Sequence, residues 1–211
     1  ENETRSRGPA RIGRGDVKVE EKVTGYKKIK FFTHENAGYG DVHLPEMQLH
    51  TTAFWLTLPE ALVDGLGQPR AAIVDGRALE TVSTLALMCD PRDISQTLGD
   101  GAAPGEDGAP GRDPFSGRTG GFDPTVFLFD ALPGGVGLAP RIFERYDELI
   151  ERAQALIESC DCVAGCPACV GPTEAAGSRK HTALQISRAI RGPERSVPSG
   201  ASLGEGAALE A

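Results

Sequence analysis

The chain has 211 residues, 39% of them hydrophobic, with 27 Gly and 15 Pro and a formal net charge of -8. That is enough apolar material for one large or two small globular bodies with a sizeable share of loop or tail. The acidic balance disfavours a nucleic-acid binder of the strongly basic kind, because phosphate contacts need local positive charge. No apolar run reaches the eighteen or so residues of a membrane span, no hydrophobic signal segment opens the chain, and clustered thiols point to a reducing compartment, so the expected location is the cytoplasm with no membrane partner.

Residues 1–15 show no clear periodicity and read as a flexible N-terminal segment. Residues 16–58 read as β-structure. Val17, Val19 and Val23 alternate with charged neighbours. A Thr-Gly turn leads into Tyr26–Phe32, a Gly38-Tyr39-Gly40 turn precedes a strand over 42–44, and Leu49–Leu58 forms a further strand with Phe54 and Trp55. The pattern predicts an antiparallel meander. Positive charge is relatively concentrated here, with 9 Lys/Arg against 8 Asp/Glu in residues 1–58 and 13 against 22 in the remainder. Lys27, Lys28 and Lys30 on one strand are therefore candidates for phosphate contact, although charged residues on a half-exposed strand more often solvate it.

Residues 59–190 read as a helical α+β region. Ile73, Val74, Ala78, Leu79, Val82, Leu85 and Ala86 recur at helical spacing, which predicts a helix from about Arg70 to Met88. The lone Cys89 behind it reads as a small apolar side chain, and Asp90 and Asp93 as turn and capping residues around Pro91. From Gly99 to Gly121 the chain is rich in Gly, Pro, Ala and Asp without hydrophobic periodicity, which predicts a disordered insertion; its three Gly-X-Y triplets are far too few for a collagen helix.

Thr125–Asp130 is a short apolar run of the buried-strand type. A glycine loop, Pro133-Gly134-Gly135-Val136-Gly137, leads to a long amphipathic helix from about Pro140 to Ser159. Strand, glycine loop and helix is the layout of many phosphate cradles. A Walker loop, however, ends in Gly-Lys-Ser/Thr and no Gly-Lys pair exists in this chain, so a structural tight turn is the preferred reading. A second helix is predicted from Arg179 to Ile190, and residues 191–211 have the composition of a disordered tail.

The most informative feature joins those two helices. Four of the five cysteines fall in Cys160-Asp-Cys162-Val-Ala-Gly-Cys166-Pro-Ala-Cys169. A CxC followed by a CxxC lets four thiolates converge on one tetrahedral ion, with Gly165 and Pro167 allowing the chain to turn at Cys166. Disulfides in so short a run would be strained, and a CxxC redox pair leaves Cys160 and Cys162 unused. An iron–sulfur cluster takes the same ligand count, but ligand type and spacing favour Zn2+. Four protein thiolates leave no open coordination position, so the metal should hold structure and activate no water.

Taken together, Phe129-Asp130-Ala-Leu-Pro133-Gly134-Gly135-Val-Gly137-Leu138, a helix of some twenty residues, and Cys160-x-Cys162-x3-Cys166-Pro167-x-Cys169-Val170 resemble the MrfA-type zinc-binding domain. That domain sits at the C-terminal end of superfamily-two DEAD/DEAH-box DNA helicases. Cys89-Asp90-x-x-Asp93-Ile94, Gly25-Tyr26-Lys27-Lys28, Leu44-Pro45 and Trp55-Leu56 extend the similarity over roughly residues 15–190.

The resemblance implies that Cys160, Cys162, Cys166 and Cys169 are zinc ligands. It also implies that the parent protein is an ATP-driven DNA translocase with a role in DNA repair. The sequence departs from a complete helicase in lacking a Gly-Lys-Thr phosphate loop and a DExH box, and Asp147-Glu148 on the amphipathic helix lacks the rest of that motif. ATP and Mg2+ would then be bound only by RecA-like motor domains absent from this chain, met in cis or in trans, and no catalytic residue is expected here. Any DNA contact would be weak and non-specific, through Lys27, Lys28 and Lys30 and through Arg179 and Lys180 beside the metal site. Two other readings stand beside this one: a free-standing structural-zinc domain that binds protein alone, and a thiol oxidoreductase using Cys166 and Cys169.

Overall fold

The computed structural model describes residues 2–59, 62, 71–100, 124–171 and 179–191, with only the backbone of 71–75 and 100. The expected insertion and the expected tail, apart from residues 99, 100 and 191, lie outside them. Seven strands are found among the described residues: β1 (Glu3–Arg7), β2 (Ala10–Glu21), β3 (Gly25–Ile29), β4 (Asn36–Asp41), β5 (Met47–Thr57), β6 (Ile94–Asp100) and β7 (Pro124–Asp130). Four helices are found among the described residues: α1 (Ala71–Leu87), α2 (Leu138–Glu144), α3 (Tyr146–Ser159) and α4 (Arg179–Arg191).

The main sheet has the order β1-β2-β5-β7-β6 with every neighbouring pair antiparallel. Period-two alternation assigns its two faces. Ile12, Leu56, Val126 and Leu98 stand in register across four strands, and the first three are fully buried in the core beneath the helices. On the other face Gly13, Trp55, Phe127 and Thr97 form the neighbouring row, with the Trp55 and Phe127 rings 6.2 Å apart. Gly13 is required there, because a Cβ at that position would lie 2.3 Å from the Trp55 ring.

Residues 3–15, expected to be flexible, instead form β1 and the first half of β2. Their order comes from Ala10 and Ile12 in the core and from Arg7, whose guanidinium makes a bidentate pair with Asp147 at 2.9 and 3.0 Å. The boundary expected at 58/59 does not separate two bodies either, since β5 pairs with β7 and the N-terminal strands share one sheet and one core with the later elements. Strand β6 follows the turn at Asp90–Asp93 and takes in the first two residues of the expected insertion; its alternation of Ile94, Gln96 and Leu98 is too short to stand out.

The meander is interrupted. β2 and β5 pair from Arg11↔Thr57 to Glu21↔Met47, and this ribbon runs on into a separate two-stranded hairpin, β3–β4. No residue between 17 and 50 is buried, so the whole segment is an arm reaching away from the core. The glycines read as a turn lie inside β4, where Gly40 stands opposite Tyr26 and leaves room for its ring. The reversal is at residues 30–35, closed by Lys30 N–H to Glu35 O and His34 N–H to Lys30 O, both 3.0 Å, with His34 at φ 53°. The strand expected over 42–44 is displaced to Asn36–Asp41 for the same reason.

The single helix expected over 140–159 is two. Arg145 has ψ 12° and kinks the chain between α2 and α3, while Arg145 N–H still reaches Arg141 O and Leu149 N–H still reaches Arg145 O. The kink serves packing on both sides. Phe143 turns under the guanidinium groups of Arg5 and Arg14, 4.4 and 5.4 Å from its ring centre, and Tyr146 stacks on Phe54 at 5.6 Å. Helix α1 packs against α3, α4, β6 and β7, closing the second layer.

Candidate metal centre

Helix α3 ends at Cys160, which turns extended at φ -74° and ψ 127° and so releases the chain into the cysteine loop. Gly165 at φ 125° and Gly171 at φ 85° supply the backbone that L side chains rarely adopt. The tight turn Cys166–Cys169 is closed by Cys169 N–H to Cys166 O at 3.0 Å and Gly171 N–H to the same carbonyl at 2.9 Å. The result brings all four sulfurs within 4.8 Å of one another, Cys169 buried and the others half-buried.

The spacing of the sulfurs tests the fit to zinc. Cys160 to Cys162, Cys160 to Cys166 and Cys162 to Cys169 are each 3.5 Å, and Cys166 to Cys169 is 3.7 Å. A tetrahedron with sulfurs about 2.3 Å from a central ion has edges of about 3.8 Å, so the set fits structural zinc. The Cys166 N–H also points at the Cys169 sulfur, 3.4 Å away, as a donor to a thiolate.

As thiols the four are not equivalent. The Ala168 N–H, followed by hydrogen bonding to Cys160, draws Cys166 down to about 7, whereas desolvation and its thiol neighbours push Cys162 up to about 12. Cys89 is apart from this cluster. It is half-buried against the core, its thiol is raised chiefly by desolvation, and it faces the Thr84 carbonyl at 3.9 Å. Asp90 and Asp93 bond within their own turn, Asp93 N–H to Asp90 O and Asp90 N–H to the Asp93 carboxylate, both 2.9 Å.

The glycine loop before α2 is closed by the protein itself. Asp130, fully buried, accepts the N–H groups of Val136, Gly137 and Leu138 on Oδ2 at 2.6, 2.8 and 3.2 Å and that of Ala139 on Oδ1 at 2.9 Å. The four donors that could have cradled a phosphate are already taken by a carboxylate. Sequence spacing alone does not reveal this, but an Asp at the end of a buried strand before a glycine loop is the signal that could have.

The basic candidates divide. Lys180 turns inward, donating from Nζ to the carbonyls of Cys160 and Cys162, the latter at 3.2 Å, while its backbone N–H reaches Ala164 O at 3.1 Å. From α4 it is thus tied to the backbone of the metal loop. Arg179 beside it opens α4 and is half-buried. Lys27, Lys28 and Lys30 are all exposed on the arm, yet alternation and a bulge at Lys28/Ile29 prevent them from forming one row. Lys30 pairs with Glu35 at 2.8 Å and Lys28 lies 5.7 Å from the Tyr26 ring. The sequence reading overlooked the aromatic residues beside them: Phe31 and Phe32 at the tip are 85% and 90% exposed, and Tyr39 is 74% exposed.

A four-thiolate centre that staples a helical layer to an antiparallel sheet defines a structural zinc-binding domain. Residues 76–170 match the family model of the MrfA Zn-binding domain. The chain is 36% identical over 188 residues to the "Uncharacterized ATP-dependent helicase YprA" of Bacillus subtilis (strain 168), a match covering 88% of this chain and 23% of that protein. It is also similar to the crystal structure of the DUF1998 helicase MrfA bound to DNA, with TM-score 0.64 and 30% identity over 90% of this chain and 24% of that one. A further crystal structure of the DUF1998 helicase MrfA gives TM-score 0.51 and 26% identity over 87% of this chain and 22% of that one. The chain thus spans about a quarter of the length of the helicases it matches.

Proposed function

We propose that this chain is the zinc-stapled accessory region of an ATP-driven DNA helicase that acts in cytoplasmic DNA repair, working with RecA-like motor domains in the same polypeptide or in a separate one. The observation that carries the reading is the match along 90% of the chain to a helicase bound to DNA. Zinc here has a structural role: with four thiolates around it, it fixes the end of α3 and the start of α4. The motor would supply ATP hydrolysis and this region would brace it and guide the strand.

The arm is the part we assign to DNA. It holds Lys27 and Lys28, exposed and free of ion pairs among the described residues, with exposed Phe31, Phe32 and Tyr39 on the same hairpin and its tip. Cations interleaved with exposed rings suit a single strand, whose phosphates and base faces they can meet without reading sequence. Residues 17–50 carry 5 Lys against 5 Asp/Glu, so such contact is weak.

The test is fluorescence anisotropy on a single-stranded oligonucleotide across a salt series. The parent should bind with a shallow slope, about -0.7 per neutralised phosphate. The double variant Lys27→Glu/Lys28→Glu should lose binding and keep its zinc. Unaltered binding by that variant would leave the arm as a protein-docking element, the free-standing interaction reading. Incubated with ATP and DNA, the chain alone should show no hydrolysis above background.

A further inference from the structure

A zinc ion held by four thiolates has a net charge of about -2, and a half-buried centre of that kind depends on nearby donors and cations to offset it. One N–H···S contact within the loop is the Cys166 N–H to the Cys169 sulfur. The nearest cationic group that contacts the loop comes from another element. Lys180, in the first turn of the 13-residue helix α4, is half-buried with its ammonium bonded to the carbonyl oxygens of Cys160 and Cys162, and its own N–H bonded to Ala164 O.

Three features of this arrangement matter. Both carbonyls belong to metal ligands, so the ammonium fixes the backbone from which two sulfurs project. No carboxylate is paired with Lys180 among the described residues, so its charge is available to the centre. The positive end of the α4 backbone dipole starts at the same place and adds to it. Lys180 lies outside the family-model span of 76–170.

We propose that Lys180 is the counter-cation and clamp of the zinc centre, a positioning residue outside the ligand set that raises zinc retention by holding the Cys160 and Cys162 carbonyls and offsetting the thiolate charge. The proposal rests on the structural-zinc reading, and metal analysis of the parent chain tests that reading separately.

The experiment follows zinc transfer from the purified full chain to a chromogenic chelator for the parent, Lys180→Met, Lys180→Gln and Lys180→Arg, with Ile186→Val in the buried face of α4 as a packing control. Lys180→Met should weaken zinc retention by about 10- to 100-fold, the range seen when groups supporting metal ligands are removed. Lys180→Gln, which keeps donors but no charge, should fall between, and Lys180→Arg should stay within about threefold of the parent. In the cobalt-loaded chain, Lys180→Met should move the sulfur-to-cobalt charge-transfer band to lower energy, because uncompensated thiolates give up charge more readily.

Parental retention in Lys180→Met overturns the proposal. So does equal zinc loss in Ile186→Val at matched thermal stability, which would mean that helix docking alone matters. Where Lys180→Met does not fold, the Gln and Arg variants decide: indistinguishable retention in those two removes the role of charge.

Discussion

The Asp130 carboxylate accepts the Val136 N–H at 2.6 Å, tying the last residue of β7 to the loop six residues on. With the three further N–H groups it receives, this carboxylate fixes how α2 leaves the sheet. α2 and the kink at Arg145 set the direction of α3, and α3 delivers Cys160. The metal loop is thus positioned from the sheet by a chain of contacts that begins at one buried acid.

Removing that acid should be costly. Asp130→Ala leaves four backbone donors at the end of a buried strand without a partner, and each unsatisfied group costs about 1–3 kcal/mol before relaxation or water entry. We expect a net loss of roughly 3–5 kcal/mol in denaturant unfolding of the zinc-loaded chain. Asp130→Asn keeps one acceptor and should lose less. A loss under about 1 kcal/mol for Asp130→Ala would mean that water replaces the carboxylate and that the loop is not anchored there.

The glycines of this loop should separate in the same assay. Gly134 and Gly135 both have positive φ, 79° and 72°, but a Cβ on Gly134 meets nothing within 4 Å whereas one on Gly135 lies 2.5 Å from the Thr52 hydroxyl. Gly134→Ala should cost only the left-handed backbone strain, about 1–2 kcal/mol. Gly135→Ala should cost clearly more, since the strain is joined by a clash beside Asp130. Equal losses would show that the loop moves freely enough to relieve the contact.

Much of this architecture is written in local pattern. The helical spacing of Ala78, Leu79 and Val82 and the apolar run 125–129 mark a helix and a buried strand because burial on one face leaves a period, and cysteine spacing marks a metal loop because four ligands must reach one point. What local pattern cannot carry is pairing. That residues 3–15 are strands depends on Ile12 meeting Leu56 and on Arg7 meeting Asp147, both far away in sequence. The kink at Arg145 likewise leaves the apolar period of α2 and α3 unbroken, and Lys180 reads as a surface cation until its carbonyl partners are known.

Where the β2–β5 ribbon passes into the β3–β4 hairpin, Lys22 and Glu46 pair across the arm at 2.8 Å. Hydrogen bonding to Lys22 lowers the Glu46 carboxyl below 4.5, and the same contact raises Lys22. A depressed carboxyl stabilises above its unfolded value and ceases to do so as pH falls through its folded one, so the pair should order the arm at neutral pH and release it once pH falls below the usual carboxylate range. Carboxyl-detected NMR should find Glu46 titrating below the usual range, and Lys22→Met should return it upward. An identical Glu46 titration in both proteins would make the pair a contact without energetic weight, as many exposed ion pairs are.

Loss of zinc should reach beyond the cysteine loop. Cys169 and Val170 belong to the same buried cluster as Ile12, Phe54 and Leu128, so the metal loop is one wall of the core that the sheet depends on. Structural zinc contributes on the order of 10–16 kcal/mol in small peptides, comparable with the whole stability of a domain. Cys166→Ser, or removal of zinc by a strong chelator, should therefore lower the thermal midpoint by about ten degrees or more and release α4. Amide exchange gives the sharper readout. Amides of β5 and β7 next to Phe54 and Leu128 should lose protection together with those of α3 and α4, because the layers share one core. The β3–β4 hairpin, which buries nothing in that core, should exchange at the same rate with and without the metal. If β5 and β7 keep full protection in Cys166→Ser while α4 opens, the sheet is stable by itself and zinc organises only the helical end.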